Sequence, residues 1–229
     1  MSGLSGVTHL ASSPSGDGFV AYAADTSTIS VYTLTGGVPR LARAYAVALT
    51  APLTRIALAD GGKDPAVLVR DAAGSTLLRA GAEGARSVAV LPGATEVVFF
   101  RGSERAVILD SAQNAVYEAD LALQNPSLTL VASNSQGIDN PVGMALSEDN
   151  RTVAVASAAN RKATLIDLAT RAATQLDLPE TPTGVRRMNA RAVFRTHRCK
   201  QWTNAAAGCA RRIRPHGVCA PARGWAQRS

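Results

Sequence analysis

The sequence predicts an all-β chain, a repeat array of short strands followed by a tail that is not part of the array. Three observations carry this. Short apolar runs alternate with polar residues at period two, the period of a half-buried strand. Turn-forming clusters separate these runs at similar intervals along most of the chain. Composition then breaks near residue 186. Residues 1–185 hold 13 Lys and Arg against 17 Asp and Glu, whereas 186–229 hold 11 Lys and Arg and no acid.

The clearest unit runs from Pro141 to Leu168, PVGMALSEDNRTVAVASAANRKATLIDL. It reads as a strand over Val142 to Leu146, a polar turn from Ser147 to Thr152, a strand over Val153 to Ala156, a polar loop, and a strand over Ala163 to Leu168. That grammar is one blade of a β-propeller. Three further copies of its first turn start at Ser13 (SPSGDGFVAY), Asp60 (DGGKDPAVLV) and Leu91 (LPGATEVVFF). Each precedes an apolar run, at Phe19, Ala66, Val97 and Val153, and follows an alternating one, at Val7 to Ala11, Arg55 to Ala59, Ser87 to Val90 and Val142 to Leu146. The steps average about 45 residues, the length of a four-stranded propeller repeat.

A second anchor closes each unit about 20 residues after the turn. The third runs end ISVYT at Thr33, STLLRA at Ala80, AVILD at Asp110 and ATLID at Asp167. Asp110 and Asp167 are expected to close turns by accepting backbone N–H groups two residues on. Between Ala80 and Ser87 this alignment leaves no room for a fourth strand, so the second unit is expected to be short. AVYEADL and SLTLVAS follow Asp110. One is expected as the fourth strand of the third unit and the other as connection or extra edge strand, with a helical turn or two over Ala115 to Leu123 as the alternative. A fifth unit starts at Pro182-Thr-Gly-Val185, an echo of Pro141-Val-Gly-Met144, and reaches Ala192-Val-Phe194 before the pattern stops.

Residues 7 to 194 resemble the WD40-like and YVTN-type β-propeller repeats of bacteria, in the alternation, the S-P-x-G or S-x-D-N turn and the apolar-Asp strand end. The resemblance covers about four fifths of the chain. It implies a propeller-like array of four blades and the start of a fifth, an incomplete ring, because propellers close with four to eight blades. The Trp-Asp and Gly-His of true WD40 repeats are absent, as is the A-x-D-x-x-T-G-x-x-x-W signature of quinoprotein propellers, of which Asp167-Leu-Ala-Thr170 is a fragment. The resemblance therefore carries no site residues with it. The expected organisation is blades over 1–180, the start of a further blade over 181–195, and a disordered basic tail over 196–229.

That tail concentrates the chemistry that the body lacks. Cys199, Cys209, Cys219, Trp202, Trp225, His197 and His216 all lie there. The ten-residue Cys spacing lacks the close pairs of a structural zinc site, and three Cys do not make a disulfide framework. The Arg-rich, acid-free composition is that of an out-of-frame reading of a GC-rich gene. The alternative is a basic tail that binds nucleic acid through phosphate contacts and stacked Trp202 and Trp225.

In the body His9 is the single His, expected as a strand residue at a blade rim. Ser12 and Ser13 stand near it in sequence without a G-x-S-x-G nucleophile motif. GAEGARS is not a phosphate loop. Asp17, Asp25, Asp64, Asp139 and Asp149 are expected as solvated turn acids. No catalytic, cofactor-binding or metal-ligating residue is expected, and no cofactor. No run approaches the roughly 20 apolar residues of a membrane span. The first residues, MSGLSGVTHLASS, have no signal-peptide pattern, so a periplasmic or extracellular location would need a signal upstream of Met1. The expected role is a non-catalytic interaction or ligand-binding module that uses the loops on one face, toward a protein or small-molecule partner. The alternatives are part of an exported lactonase-like or quinoprotein-like propeller enzyme, and nucleic-acid binding through the tail.

Overall fold

A computed structural model describes residues 6–188, 191–196 and 203–204, with side chains up to residue 185. The chain lays down antiparallel sheets in strict sequence order, four of four strands and a last one of three. The first sheet is β1 (Val7–Ser12), β2 (Gly18–Ala23), β3 (Thr28–Thr35) and β4 (Val38–Ala46). The second is β5 (Leu53–Ala57), β6 (Ala66–Arg70), β7 (Ser75–Gly81) and β8 (Gly84–Leu91). The third is β9 (Ala94–Phe99), β10 (Arg105–Asp110), β11 (Ala115–Asp120) and β12 (Thr129–Ala132), and the fourth is β13 (Pro141–Leu146), β14 (Thr152–Ser157), β15 (Lys162–Asp167) and β16 (Ala173–Asp177). β17 (Pro182–Met188), β18 (Arg191–Thr196) and β19 (Thr203–Asn204) form the fifth. This is the blade array expected from the sequence. None of the described residues forms an α-helix, so no helix there is long and apolar enough to cross a membrane.

The phase of the repeat differs from the sequence alignment in the middle of the array. Ser87 to Val90 belongs to β8, the outer strand of the second sheet, where Thr76 pairs with Val90 and Leu77 with Ala89. The second blade is therefore complete. Leu91-Pro-Gly joins two blades, although it reads like a first hairpin turn. Its tightness has a local cause. A Cβ on Gly93 would sit 2.5 Å from that of Ala112, and the Ser111 N–H donates to the Gly93 carbonyl at 2.9 Å. AVYEADL and SLTLVAS carry β11 and β12, the third and fourth strands of the third sheet, and no helical turn forms over Ala115 to Asp120. With the phase set by pairing, first strands begin at Val7, Leu53, Ala94, Pro141 and Pro182. That spacing is more even than the turn motifs suggest.

The sheets stack face to face through apolar clusters. Val20, Tyr22, Ile29 and Val31 of the first sheet pack on Ile56, Val67, Val69 and Leu78 of the second. Leu68 and Leu77 meet Phe99 and Ile108, and Val107 and Leu109 meet Val153, Val155 and Ile166. On the other face of the fourth sheet, Ala154, Ala156 and Ala163 receive Val185. A sheet covered on both faces needs apolar residues at every position, which is why β14 reads as a near-continuous run. Val153 and Val155 are both fully buried. Gly143 is required at this last joint, since a Cβ there would lie 2.7 Å from the Val185 nitrogen.

Tips of the first hairpins tie neighbouring blades together at one end of the stack. Ser15 donates through N and Oγ to Asp60 Oδ1, both at 2.8 Å. The Gly61 N–H donates to Asp17 Oδ2 and the Gly102 N–H to Asp60 Oδ2, each at 2.7 Å. Arg101 then exchanges backbone hydrogen bonds with the Asn150 side chain. Among the described residues, the first hairpins of the first four sheets are thus each tied to a neighbouring blade by a side-chain hydrogen bond. Tail residues 197–202 and 205–229, with all the Cys and both Trp, lie outside the described residues. The backbone pairing reaches further than the sequence suggested, since Thr203 and Asn204 pair with Phe194 and Val193.

Candidate binding groove

Two polar places lie among these packed faces. The first follows the inner strands, where β5, β9 and β13 pack side by side. Glu96 of β9 is largely buried and links three sheets. Its Oε1 accepts from Arg55 Nη2 at 2.9 Å, and its Oε2 accepts from the Met144 backbone N–H at 2.7 Å. Burial pushes its pKa up, while Arg55 and the Met144 N–H pull it back only in part. His9, on β1, has its Nδ1 3.0 Å from Thr8 Oγ1 and its ring 6.2 Å from that of Tyr22. Its pKa is lowered by burial and then by the charge of Arg55. Glu96 and Arg55 satisfy each other, so this seam fastens blades and offers little to a ligand.

The second place is a groove of about 570 Å³ between the second and third sheets. It opens at the same end as the first-hairpin tips. Arg79 of β7 is the central residue. Its position on β7 has the parity of Leu77, which faces the third sheet, so the guanidinium enters an apolar interface. The residue is 7% exposed. Nη2 donates to Glu104 Oε2 at 2.5 Å, and the guanidinium carbon lies 5.5 Å from the centre of the Phe99 ring. Nη1 is buried and has no hydrogen-bond partner in the structure. A buried donor left unpaired costs about 1–3 kcal/mol. Burial pulls the Arg79 pKa below its ordinary value, against the charges of Glu104 and Asp64.

The walls of the groove are charged. Arg43 of β4 pairs with Asp64 Oδ1 at 2.8 Å and also donates to the Gly62 carbonyl. Arg86 of β8 donates to the carbonyls of Leu123 and Gln124, which are neutral partners. Glu83 stands exposed at the β7–β8 turn. Lys63 lies 3.9 Å from Glu104, so with it four cations meet the three carboxylates of Asp64, Glu83 and Glu104. Tyr45 donates to the Ala80 carbonyl at 2.7 Å, and its pKa is pushed up to about 12, by burial first and then by Asp64.

The acids singled out in the sequence all occupy turns or connections. Asp17 accepts from Ser13 Oγ at 2.6 Å and from Gly61, and its pKa is lowered by these hydrogen bonds, which outweigh a burial cost. Asp149 accepts from Ser147 Oγ at 2.6 Å. Asp25 and Asp139 lie in the β2–β3 turn and the β12–β13 connection, remote in the chain from the groove. Asp64 alone joins the groove. Ser13 is engaged by Asp17 and the Gly18 carbonyl. Asp110 and Asp167 close turns as expected, each accepting two successive backbone N–H groups. However, Asp110 ends the second strand of its sheet and Asp167 the third. Among the described residues, no three of His, Cys, Asp and Glu gather as a metal site. Arg79 and Glu96 were missed in the sequence. The signal for Arg79 was there: a single charge inside the apolar run STLLRAG.

No family model matches this sequence, and no curated protein matches it. Solved structures do share the fold. A functionally unknown protein from Desulfotomaculum acetoxidans DSM 771 is similar at 10% identity and a TM-score of 0.59, over 83% of this chain and 62% of that one. A chain of the nidogen/laminin complex is similar at 13% identity and a TM-score of 0.58, over 82% of this chain and 71% of that one. Dihydro-heme d1 dehydrogenase NirN, solved in complex with DHE, is similar at 18% identity and a TM-score of 0.53, over 81% and 41%. The chain thus spans about three fifths of the Desulfotomaculum protein's length. These likenesses define a class by fold: all-β, propeller-type blades in an antiparallel array.

Proposed function

We propose that this chain is a non-catalytic ligand-binding module of WD40-like, YVTN-type blades, and that the groove around Arg79 takes a small carboxylate. The observation that carries the reading is the Arg79 guanidinium, enclosed between two blades with one nitrogen unpartnered. Replacing Arg79 and Glu104 together by apolar residues would remove a costly buried pair, so the retention of the pair in the groove wall favours a role beyond stability. Arg86, with carbonyl partners only, is the second cation available to an anion. An enzyme reading would need reacting groups in reach of each other, and Arg43, Asp64, Arg79 and Glu104 are already engaged in ion pairs.

The test is calorimetric titration of the full chain with acetate and with succinate at fixed ionic strength. Saturable heats that disappear in Arg79→Gln and weaken in Arg86→Gln support the proposal. Absence of saturable heat from either acid, or binding unchanged in Arg79→Gln, refutes it.

A further inference from the structure

The groove around Arg79 also holds a negative charge that the fold itself does not use. Three cations, Arg43, Arg79 and Arg86, and three carboxylates, Asp64, Glu83 and Glu104, line it. Arg43 is engaged by Asp64, and Arg79 by Glu104. Arg86 has only the carbonyls of Leu123 and Gln124. Glu83, exposed at the β7–β8 turn, has no ion pair or side-chain hydrogen bond among the described residues. One cation and one carboxylate of the groove are therefore without a charged partner there.

The β7–β8 hairpin fixes the order of these groups. Arg79 pairs with Arg86, Ala80 with Ala85 and Gly81 with Gly84, and Ala82 and Glu83 make the turn. Paired residues share a face, as do alternate residues of one strand, so Arg79, Arg86, Gly81 and Gly84 lie on one side of the hairpin. Like charges directly opposite each other destabilise a sheet. Burial, and then the charge of Arg86, lower the Arg79 pKa. An anion set between the two guanidinium groups relieves that repulsion. From Arg86 to Gly84 the strand rises about 7 Å, and Glu83 is the adjacent residue. A Cβ on Gly84 would meet nothing within 4 Å, whereas one on Gly81 would lie 2.9 Å from Asp64 Oδ2. The open path from the arginines to Glu83 thus runs over Gly84, where there is no side chain. Leu121 and Ala122 of the third blade give the groove apolar lining.

We propose that the ligand is an ω-amino acid, with its carboxylate on Arg79 and Arg86, its methylene chain over Gly84 and its ammonium on Glu83. This rests on the reading of the groove as a carboxylate site and adds the class of molecule that the carboxylate belongs to. An α-amino acid carries both charged groups on one carbon and is too short to engage the two ends.

The experiment is calorimetric titration of the full chain with ε-aminocaproate, caproate and glycine, at neutral pH and fixed ionic strength. ε-Aminocaproate should bind about three- to fivefold tighter than caproate, the gain of an exposed ion pair, and tighter than glycine. Glu83→Gln should erase the preference for the ammonium compound and Glu83→Lys should reverse it, both with the strand signal in circular dichroism retained. Equal affinity for ε-aminocaproate and caproate, with both lost in Arg79→Gln, overturns the ω-amino acid and leaves the groove a carboxylate site. So does a preference that persists in Glu83→Gln, or glycine bound as tightly as ε-aminocaproate. Saturable heat from none of the three overturns this proposal and the carboxylate reading together.

Discussion

Replacing Glu96 tests how the blades are joined. Its carboxylate accepts from Arg55 on one side and from the Met144 N–H on the other. In Glu96→Ala the Met144 N–H, in a residue 3% exposed, loses its acceptor, at about 1–3 kcal/mol. Arg55 is half exposed, so its ion pair adds about 0.2–1 kcal/mol and no more. The expected loss is about 2 kcal/mol, offset in part by no longer burying a charge, and for a chain of this size each kcal/mol lowers the melting temperature by about 2–4 °C. Glu96→Gln keeps an acceptor for Met144 and should cost less than half as much. The pH dependence has a definite sign. Burial raises the folded pKa of Glu96, so the folded state holds this proton more tightly than the unfolded state. Its contribution is therefore favourable below the ordinary carboxylate value and declines as pH rises through the raised one. Melting curves of wild type, Glu96→Ala and Glu96→Gln between pH 4 and 8 read both effects. Equal stability of all three proteins, or the same pH slope in Glu96→Gln as in wild type, would refute the reasoning.

Other substitutions have equally defined outcomes. Val153→Asp and Val155→Asp should each cost about 3–5 kcal/mol as buried unpaired charges, and a mild effect for either one in chemical denaturation would contradict burial of the β14 face turned to the third sheet. Asp110→Ala strands the buried Gly93 N–H and frees the N–H groups of Ala112 and Gln113, for an expected loss of about 1–3 kcal/mol from the buried donor; unchanged stability would remove the turn from the account. Hydrogen bonds hold Asp17 and Asp149 below the usual carboxylate range, so their contribution is present at neutral pH and lost as pH falls through their lowered values. Asp17→Asn should flatten that acid limb, and an unaltered limb counts against it. Arg79→Met leaves Glu104 without its close partner and should cost stability, whereas Arg79→Met combined with Glu104→Leu should be neutral or stabilising without ligand, and a double variant no more stable than the single one would show the pair to be structural.

Much of the fold was legible in the sequence because a strand needs only local information. Period-two alternation and turn residues located β1, β2, β13, β14 and β15 within a residue or two. What failed was phase, and for a physical reason. A tight blade-to-blade joint such as Leu91-Pro-Gly and a first hairpin turn demand the same residues, so only the pairing of Thr76 with Val90 separates them. β16, exposed at every position, has only Ala173 and Leu176 as apolar residues and no alternating run. The groove was harder still. Arg79, Glu104, Arg43 and Asp64 come from four separate segments, and nothing local says that they meet. An Arg within an apolar run was a visible anomaly, yet its meaning depends on which face of β7 it occupies.

The most direct measurement is the side-chain NMR spectrum of the arginines, ¹⁵N-labelled and followed during titration with acetate at constant ionic strength. Arg79 should give a slowly exchanging guanidinium resonance, set apart by the Phe99 ring and the Glu104 pair, and that resonance should shift saturably, with Arg86 following and Arg101 and Arg105 unmoved. A uniform drift of all arginines, or an Arg79 signal indistinguishable from solvated arginine, would contradict the groove as a binding site.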